Sequence, residues 1–325
     1  MKKILLALLV LTLLLTGCTK QIKLKEEYNP NSKLHISNKK VSLPVVRPES
    51  LANENAVIPF DAYIYDNADA EYEAGLCVDN VNNTVVYAQN PHKQIYPASM
   101  TKILTALVVT DAIEEGKIGV GDWITIQSDI EFNESNVTVL GLKKDYQITV
   151  DELMHGLLIS SYNDCAVVLA RYVAGGEKEF AALMNQKALL LGATNSHFVN
   201  NHGLHNSNHY TTPYDLYLIF KEFLSKDYLL EIDKNPRYNL TYFKDGEKVV
   251  REIATTNAFI SNSFELPEGY HITGWKTGTT EKAGSCIIFG MAKENNGTEY
   301  ICLVSNAKGH NALYDSIDNI LKKIN

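Results

Sequence analysis

The sequence has no excess of positive charge. Its 30 Lys and Arg residues are outnumbered by 38 Asp and Glu residues, which gives a formal net charge of −8. A protein that binds nucleic acid needs cations to neutralise the phosphates, so this composition argues against nucleic acid as a main partner. The sequence also lacks internal repeats and low-complexity tracts. With 325 residues, of which 45 % are hydrophobic, the chain can bury a core in one large domain or two modest ones.

Patterns that bind metal ions are missing as well. Five cysteines are present, and their spacing matches no C-x-x-C zinc pattern. Four histidines fall close together, but they lie in a polar segment and form no H-E-x-x-H motif: His197, His202, His205 and His209. We therefore expect no metal site and no cofactor. Cys77, Cys286 and Cys302 lie in apolar, strand-like runs, where buried free thiols are expected, although their pairing and that of Cys165 stay open.

An apolar run at the N-terminus is too short for an ordinary membrane span. It covers Ile4–Leu15, follows two lysines and has the length of a signal-peptide core. The Leu-Thr-Gly-Cys sequence that ends at Cys18 resembles a bacterial lipobox, in which the cysteine is acylated and becomes the first mature residue. This resemblance implies that residues 1–17 are a lipoprotein signal peptide and that lipid on Cys18 anchors the protein to the outer side of the cell membrane. A plain signal peptide that contains a cysteine by chance is the alternative.

The residues after Cys18 are polar and show no clean period. Residues 18–60 are rich in Lys, Asn and Ser and contain several prolines, which indicates an extended tether between lipid and domain. A strand at Val41–Val46 that packs on the domain edge is the alternative. The folded domain is expected to cover residues 61–325.

The pattern within this domain predicts an α+β fold. Strands alternate with turn signals at both ends of the domain, and helical periods fill the middle. We therefore predict an antiparallel sheet packed against a helical cluster. The expected strands are Ala74–Asp79, Thr84–Ala88, Ile124–Gln127, Tyr238–Phe243, Lys248–Ile253, Tyr270–Lys276, Ser285–Ala292 and Thr298–Ser305. The expected helices follow Ser99, Thr149, Asn163, Gly176 and Thr212, and a last one covers Asp315–Ile324.

The stretch from Tyr96 to Lys102 contains a serine and a lysine spaced as S-x-x-K. Pro97 ends an extended run, and an apolar run long enough for a buried helix begins at Ile103. Ser99 is thus predicted at a helix start, with Lys102 one turn further on the same face. A lysine in this position can activate a serine nucleophile if burial or nearby positive charge lowers its pKa. Alone, the motif is more simply read as a helix cap followed by a solvated lysine.

Two further motifs follow in order. Ser161-Tyr162-Asn163 lies at a break between two helical runs, and Lys276-Thr277-Gly278 lies at the end of a predicted strand. S-x-x-K, S-x-N and K-T-G in this order form the set of the serine enzymes that recognise penicillin. Taken singly, Ser161 is better explained as a helix cap and Lys276 as a solvated charge at a strand end.

The chain resembles the D-alanyl-D-alanine carboxypeptidases, the low-molecular-mass penicillin-binding proteins of peptidase family S11. The supporting stretches are Gly156–Asp164, His197-Phe198, His202–Leu204, Thr211–Asp215, Lys276–Thr280 and Lys282–Gly284, and the resemblance runs from about Tyr72 to the C-terminus. It implies a fold like that of β-lactamases and transpeptidases. It also implies that the partners are peptidoglycan stem peptides ending in D-Ala-D-Ala, with β-lactams as covalent inhibitors.

The resemblance implies a role for each motif residue. Ser99 would attack the carbonyl of the penultimate D-Ala, with neutral Lys102 as base, Ser161 as proton relay to the leaving amine and Asn163 holding Lys102 and the substrate amide. Lys276 and the hydroxyls of Thr277 and Thr279 would bind the terminal carboxylate. Gly278 would let the strand approach the substrate, and the backbone N–H groups of Ser99 and Thr279 would form an oxyanion hole.

Some residues depart from the family pattern. Tyr162 replaces a usual glycine, Thr279 replaces a frequent histidine, and the sequence ends after one helix, so we expect the lipid on Cys18 to replace a C-terminal anchor. Two other activities of the same site stay open, a D,D-endopeptidase and a β-lactamase. The region around Glu179 does not match the E-x-x-L-N loop of class A β-lactamases. A non-catalytic sensor of β-lactams or peptidoglycan is the third alternative, because the Tyr162 ring could narrow the cleft.

Overall fold

Asx and glycine turns organise the hairpins of this protein. The computed structural model describes residues 55–58, 70–134, 136–261, 263–293 and 297–324. In the first hairpin, the Asp79 carboxylate accepts hydrogen bonds from the backbone N–H groups of Val81 and Asn82. In a later hairpin, Asp245 and Gly246 both adopt positive φ angles, 52° and 83°, as the tight turn between twisted strands requires. A side-chain carboxylate in the first hairpin and the backbone conformation of the turn in the later one therefore fix where the strands end.

The strands form two antiparallel sheets. A five-stranded sheet has the order β2-β1-β9-β8-β7, and a four-stranded sheet has the order β3-β4-β5-β6. The strands are β1 Ala74–Asp79, β2 Thr84–Gln89, β3 Trp123–Thr125, β4 Gln147–Thr149, β5 Arg237–Lys244, β6 Glu247–Ala254, β7 Tyr270–Thr280, β8 Gly284–Lys293 and β9 Tyr300–Ala307.

Side-chain caps mark two of the helix starts. The Thr149 and Thr212 hydroxyls accept hydrogen bonds from the backbone N–H groups of Glu152 and Asp215, which satisfies donors that a helix leaves free. A helix ends at Gly175, whose φ of 78° is left-handed. The α-helices are α1 Thr101–Glu114, α2 Val150–Leu158, α3 Asn163–Ala174, α4 Glu177–Leu190, α5 Pro213–Phe223, α6 Asp227–Asp233 and α7 His310–Leu321.

Helix α1 is the centre of the helical cluster. Its residues are buried continuously from Thr101 to Thr110, so the helix is buried on all sides and not along one apolar stripe. A helix with this pattern belongs in the core. Its first turn, which carries Lys102, is therefore held rigidly against the sheet.

The five-stranded sheet buries both faces. Alternate residues of its strands belong to two separate hydrophobic clusters, because successive side chains of a strand point to opposite faces. Leu76, Ile288 and Leu303 join the cluster around α1. Trp275 and Phe289 join a second cluster that includes the apolar residues of α7. The sheet thus lies between the helical cluster and the C-terminal helix, and the predicted α+β class is confirmed.

The structure differs from the sequence prediction in several elements. The hairpin β5–β6 belongs to a second sheet with β3 and β4, whereas one sheet was expected. Helix α6 was not predicted, α7 begins at His310 instead of Asp315, and β7 continues through the Lys-Thr-Gly motif to Thr280. The motif lies inside a strand because each of its residues pairs with β8.

Parts of the predicted chain organisation lie outside the described residues. These parts are the signal peptide, Cys18, the tether up to residue 54 and the domain start at residue 61. Ala56 and Ile58 of the predicted tether are buried in the main core, and the Ala56 N–H donates to the Tyr217 hydroxyl over 3.2 Å. In the described ranges, no helix is both long and apolar enough to cross a membrane.

Four cysteines are buried and carry free thiols: Cys77, Cys165, Cys286 and Cys302. Burial as free thiols was expected for three of them, while the state of Cys165 had been left open. Cys77 and Cys302 face each other in the β1–β9 pairing, and their sulfur atoms are 2.8 Å apart.

Candidate active site

Ser99 lies in a short 3-10 turn that leads into helix α1. The turn covers Ala98–Met100 and follows Pro97. Ala98 has a φ of 46°, which is unusual for a residue with a side chain and stores strain beside the serine. Ser99 is partly exposed, while its neighbours in the turn are buried. The Ser99 side chain is therefore accessible, although the other residues of the turn are buried.

Lys102 lies one turn further and is fully buried. Its Nζ lies 2.9 Å from Ser99 Oγ, 2.7 Å from Asn163 Oδ1 and 2.7 Å from the backbone carbonyl oxygen of His202. The amide and carbonyl oxygens can only accept hydrogen bonds. A neutral lysine, with two N–H bonds and one lone pair, therefore donates to these two oxygens and accepts the proton of the serine hydroxyl.

The surroundings of Lys102 favour this neutral form. Burial, and then the positive charge of Lys276, lower its pKa well below the ordinary value of 10.5. Both causes disfavour the ammonium ion, because burial removes its water and the second cation repels it. The geometry and the pKa together equip Lys102 to remove a proton from Ser99.

Ser161 and Asn163 lie where α2 ends and α3 begins. Ser161 adopts a left-handed φ of 60°, and within the described part of the chain its buried Oγ has no hydrogen-bond partner. Such an atom is costly to leave unpaired unless another group, such as a substrate, completes it. Asn163 is fixed from two sides, since it holds Lys102 and donates to the Thr138 carbonyl through its Nδ2 over 3.1 Å.

Strand β7 forms the opposite side of the site. A Cβ added at Gly278 would lie only 3.0 Å from the Pro97 carbonyl oxygen and 3.0 Å from the Ser99 nitrogen. Glycine is therefore required where the strand crosses the nucleophile turn. The sequence suggested a close approach to substrate at this position, and the described close approach is to the turn that carries Ser99.

Lys276 is also fully buried, and its Nζ donates to the Thr277 carbonyl over 3.1 Å. Burial lowers its pKa to about 8, while the carboxylate of Asp233 opposes the decrease. Asp233 stands at the end of α6, where one carboxylate oxygen accepts the Trp275 N–H over 2.9 Å. Burial raises the pKa of Asp233 to about 7.

Residues that follow Lys276 on strand β7 carry hydroxyl groups at the rim of the site. Thr277 is partly exposed, and its Oγ1 lies 2.6 Å from Oγ1 of Thr256. Thr279 is exposed and lies two residues after Thr277, so its side chain is on the same face of β7. Two accessible strand hydroxyls thus follow the buried Lys276 along β7, and hydroxyl groups and a cation are groups that can receive a carboxylate.

Lys102 contacts Ser99 and Asn163, and Gly278 lies against the Ser99 turn, so the structure brings these four predicted residues together. The charge of Lys276 acts on Lys102, Ser161 adjoins Asn163 in the chain, and Thr277 and Thr279 lie on the same strand as Lys276. The structure also adds groups that sequence reasoning missed. The additions are Asp233, Thr256 and the backbone carbonyl oxygens of Thr138 and His202. A backbone carbonyl leaves no signal in the sequence. Asp233 left one weak signal, an acidic residue at the end of the apolar run that forms α6.

Two residues that raised alternative hypotheses are packed into the protein. His209 uses both ring nitrogens, with Nε2 2.8 Å from Thr101 Oγ1 and Nδ1 3.1 Å from the backbone nitrogen of Val199. The Tyr162 ring is 8 % exposed and lies 5.7 Å from the Arg251 guanidinium. These contacts give His209 a structural role, and they bury most of the Tyr162 ring, whose bulk had suggested the alternative of a narrowed cleft.

Comparison with known proteins relates this chain to one family of peptidases. The family model of the peptidase S11 D-alanyl-D-alanine carboxypeptidases matches residues 63–309, more than half of the chain. DacF of Bacillus subtilis, a D-alanyl-D-alanine carboxypeptidase, is 31 % identical over 227 residues, which cover 69 % of this chain and 55 % of that protein. DacD of Escherichia coli, also a D-alanyl-D-alanine carboxypeptidase, is 33 % identical over 224 residues, which cover 67 % of this chain and 55 % of that protein. The chain spans about half the length of these relatives.

Solved structures show the same fold. A penicillin-binding protein from Listeria monocytogenes in its cefotaxime-bound form has a TM-score of 0.66 at 23 % identity, covering 80 % of this chain and 99 % of that one. Penicillin-binding protein 5 from Haemophilus influenzae has a TM-score of 0.68 at 23 % identity, covering 79 % and 72 %. On the family match and the identity to curated relatives, this chain belongs to the peptidase S11 family of D-alanyl-D-alanine carboxypeptidases.

Proposed function

We propose that this protein is a serine-type D-Ala-D-Ala carboxypeptidase that removes the terminal D-alanine from peptidoglycan stem peptides. The observation that carries the proposal is the fully buried Lys102, which is bonded to Ser99 and held by two acceptor oxygens. A serine with a neutral amine as base is suited to acyl transfer.

The proposed reaction has two halves. Neutral Lys102 takes the proton of Ser99 as the serine oxygen attacks the carbonyl of the penultimate D-Ala. Ser161 passes a proton to the nitrogen of the leaving D-alanine, and the bond between the two D-Ala residues breaks. Water then attacks the resulting ester and regenerates Ser99.

Binding of the free C-terminus makes this an exopeptidase. The hydroxyls of Thr277 and Thr279 contact the substrate carboxylate, and Lys276 attracts it from beneath through its charge. Asn163 orients the substrate amide. The backbone N–H groups of Ser99 and Thr279 bind the oxyanion, and each donor lowers the activation barrier by about 3 kcal/mol. β-Lactams enter the same site, acylate Ser99 and inhibit the enzyme.

We also propose that the protein acts outside the cytoplasm, attached to the membrane through lipid on Cys18. The order of basic, apolar and small residues before this cysteine supports the proposal. A Cys18→Ala variant is expected to leave the membrane fraction for the soluble one. Retention of that variant in the membrane fraction would overturn the lipid anchor.

The first experiment measures D-alanine released from diacetylated Lys-D-Ala-D-Ala. We expect release by the wild type and none by Ser99→Ala, while a control variant at an exposed serine of another region, Ser225→Ala, keeps full activity. Covalent penicillin labelling without any D-alanine release would contradict the carboxypeptidase and favour an endopeptidase or a sensor. Rapid turnover of penicillin would instead favour a β-lactamase.

A further inference from the structure

Two cavities lie beside helix α3, which begins at Asn163 of the candidate active site. Asp164, Val168 and Arg171 lie on one face of this helix, because their spacing of four and three residues matches the helical repeat. Asp164 lines a cavity of about 480 Å³. Val168, Arg171 and Tyr172 line a second cavity of about 410 Å³ further along the helix.

The opposite wall of both cavities comes from one continuous stretch of chain. Residues 123–128 line the second cavity, and residues of the range 129–143 line the first. The first cavity adjoins the catalytic residues at two points. Phe132 packs edge-on against the His202 ring at 5.6 Å, and the Thr138 carbonyl accepts hydrogen bonds from Asn163. Along α3, the first cavity therefore lies at the end near Asn163 and the second lies further from it.

The far cavity combines exposed aromatic rings with hydrogen-bonding groups. Trp123 is 54 % exposed and Tyr172 is 38 % exposed, although both rings are large and apolar. Phe243 contacts the Trp123 ring edge-on at 5.4 Å, and the Tyr172 hydroxyl donates to Asp122 over 3.0 Å. These contacts hold both rings in place on the surface. The Arg171 guanidinium, which donates to Ser128 Oγ over 3.1 Å, supplies polar groups between them.

This combination matches the chemistry of a sugar. A pyranose ring has an apolar face of C–H groups that packs on an aromatic ring and a rim of hydroxyl and acetamido groups that form hydrogen bonds. Tyr and Trp suit such ligands because each pairs an apolar ring with a polar group. The cavity volume lies within the range of small-ligand sites.

The distance from Asn163 to Arg171 along helix α3 is similar to the length of the stem peptide in the proposed reaction. Asn163 and Arg171 are eight residues apart on α3, which corresponds to about 12 Å at the rise of an α-helix. In a pentapeptide stem, four residues separate the scissile carbonyl from the sugar. They span about 13 Å when extended. A stem peptide bound at Ser99 is therefore long enough to place its sugar at the aromatic cavity.

We propose that the cavity around Trp123, Arg171 and Tyr172 binds the amino sugar of the glycan strand that carries the stem peptide. This inference rests on the proposed carboxypeptidase function and extends it, because it makes the glycan part of the recognised substrate. The enzyme then prefers stem peptides that are still attached to glycan over free peptides.

A kinetic comparison of two substrates tests this proposal. One substrate is the diacetylated tripeptide, and the other is a disaccharide-pentapeptide from peptidoglycan. Trp123→Ala and Tyr172→Ala are each expected to lower kcat/KM about tenfold on the glycan substrate and less than twofold on the tripeptide. Leu190→Ala, which changes a 76 % exposed residue on α4, serves as a control that alters neither value. Equal losses on both substrates, or no loss on either, would overturn the proposal.

Fluorescence provides a test that does not depend on turnover. The chain has two tryptophans, and because Trp275 is fully buried, changes at the surface report on Trp123. Titration of the Ser99→Ala protein with the disaccharide-pentapeptide is expected to change the emission saturably, and the free pentapeptide is not. Trp123→Phe removes the signal.

The outcomes separate this inference from the proposed function. Sugar-dependent fluorescence without D-alanine release from any substrate would leave the sugar site in place and reject the carboxypeptidase. Release without any sugar-dependent fluorescence would do the reverse. An emission change with anionic lipid vesicles but not with the sugar would assign the rings to membrane contact and overturn the proposal.

Discussion

The two sides of the catalytic cleft each bury a lysine, but in different electrostatic surroundings. On the helical side, Lys102 contacts neutral oxygen acceptors and lies near a second cation, and its pKa falls well below 10.5. On the sheet side, Lys276 lies near the Asp233 carboxylate, and its pKa falls to about 8. Both residues are fully buried, so burial alone does not separate them.

The difference shows how one residue type can serve two roles. Each lysine loses water, but the carboxylate partly restores the charge of Lys276, and this charge in turn suppresses that of Lys102. The sheet side thus keeps a cation for binding an anion, while the helical side keeps a neutral base. The assignment of roles follows from a residue outside all three motifs, Asp233.

The largest effect on this difference between the two lysines is expected when Lys102, the proposed base, is replaced. Lys102→Ala is expected to slow acylation of Ser99 by a fluorescent penicillin about 10²- to 10⁴-fold, the range of general-base contributions. Lys102→Arg should lose as much, because its guanidinium keeps its charge and accepts no proton. Rapid-mixing kinetics give the rates, and circular dichroism confirms the fold. Near-normal acylation of a folded variant would contradict the role of Lys102.

The pH dependence sharpens the contrast. Activity requires neutral Lys102 and charged Lys276, so kcat/KM should rise as pH increases through the lowered pKa of Lys102 and fall above about pH 8. Lys276→Arg should move the alkaline decrease above the accessible range, because arginine stays charged. A pH profile of the wild type and this variant tests the assignment. The wild-type decrease near pH 8 stays informative if the variant does not fold.

Removing the Asp233 carboxylate should reduce the difference in charge between Lys276 and Lys102. Asp233→Asn keeps an oxygen that can accept the Trp275 N–H but removes the negative charge beside Lys276. The pKa of Lys276 should then fall below about 8, and the alkaline decrease of kcat/KM should move to lower pH. KM for the tripeptide should increase several-fold at pH 7.5, with a smaller change in kcat. An unchanged pH profile would show that Asp233 does not set the charge of Lys276.

The smallest expected effect concerns the stability of the helical side in acid. Burial lowers the pKa of His202 and His209 from 6.5 to about 3. Between these values the unfolded chain binds protons that the folded protein does not, so the contribution of each histidine to the free energy of unfolding decreases as pH falls from about 6.5 to about 3. The raised pKa of Asp233 acts in the opposite direction below about pH 7. Each histidine contributes a slope of about 1.4 kcal/mol per pH unit.

His209→Gln should lower the pH slope of the free energy of unfolding by about 1.4 kcal/mol per pH unit, as measured by urea unfolding at several pH values. His271→Gln, a change at an exposed residue of β7, is the control. An unaltered slope in the His209 variant would show that another group causes the loss of stability in acid.

The sequence predicted local features of the fold and site better than long-range ones. The helix starts at Thr149 and Thr212 were predictable because the capping residues act within three positions. The motifs also predicted that Lys102 lies beside Ser99 and Asn163, as their hydrogen bonds show. The separate four-stranded sheet was not predictable, because alternation identifies a strand but not its partner. Complete burial of Lys276 also escaped prediction, since it depends on packing around β7 and α6.

The strand order has a consequence for how the protein folds. In the five-stranded sheet, β1 pairs with β2 on one side and with β9, near the C-terminus, on the other. During synthesis the first hairpin therefore waits with one unpaired edge until residues 300–307 are available. Such non-local pairing slows folding and leaves an edge open to association with other chains. This topology predicts a nascent chain that depends on protection from aggregation until its last strand is made.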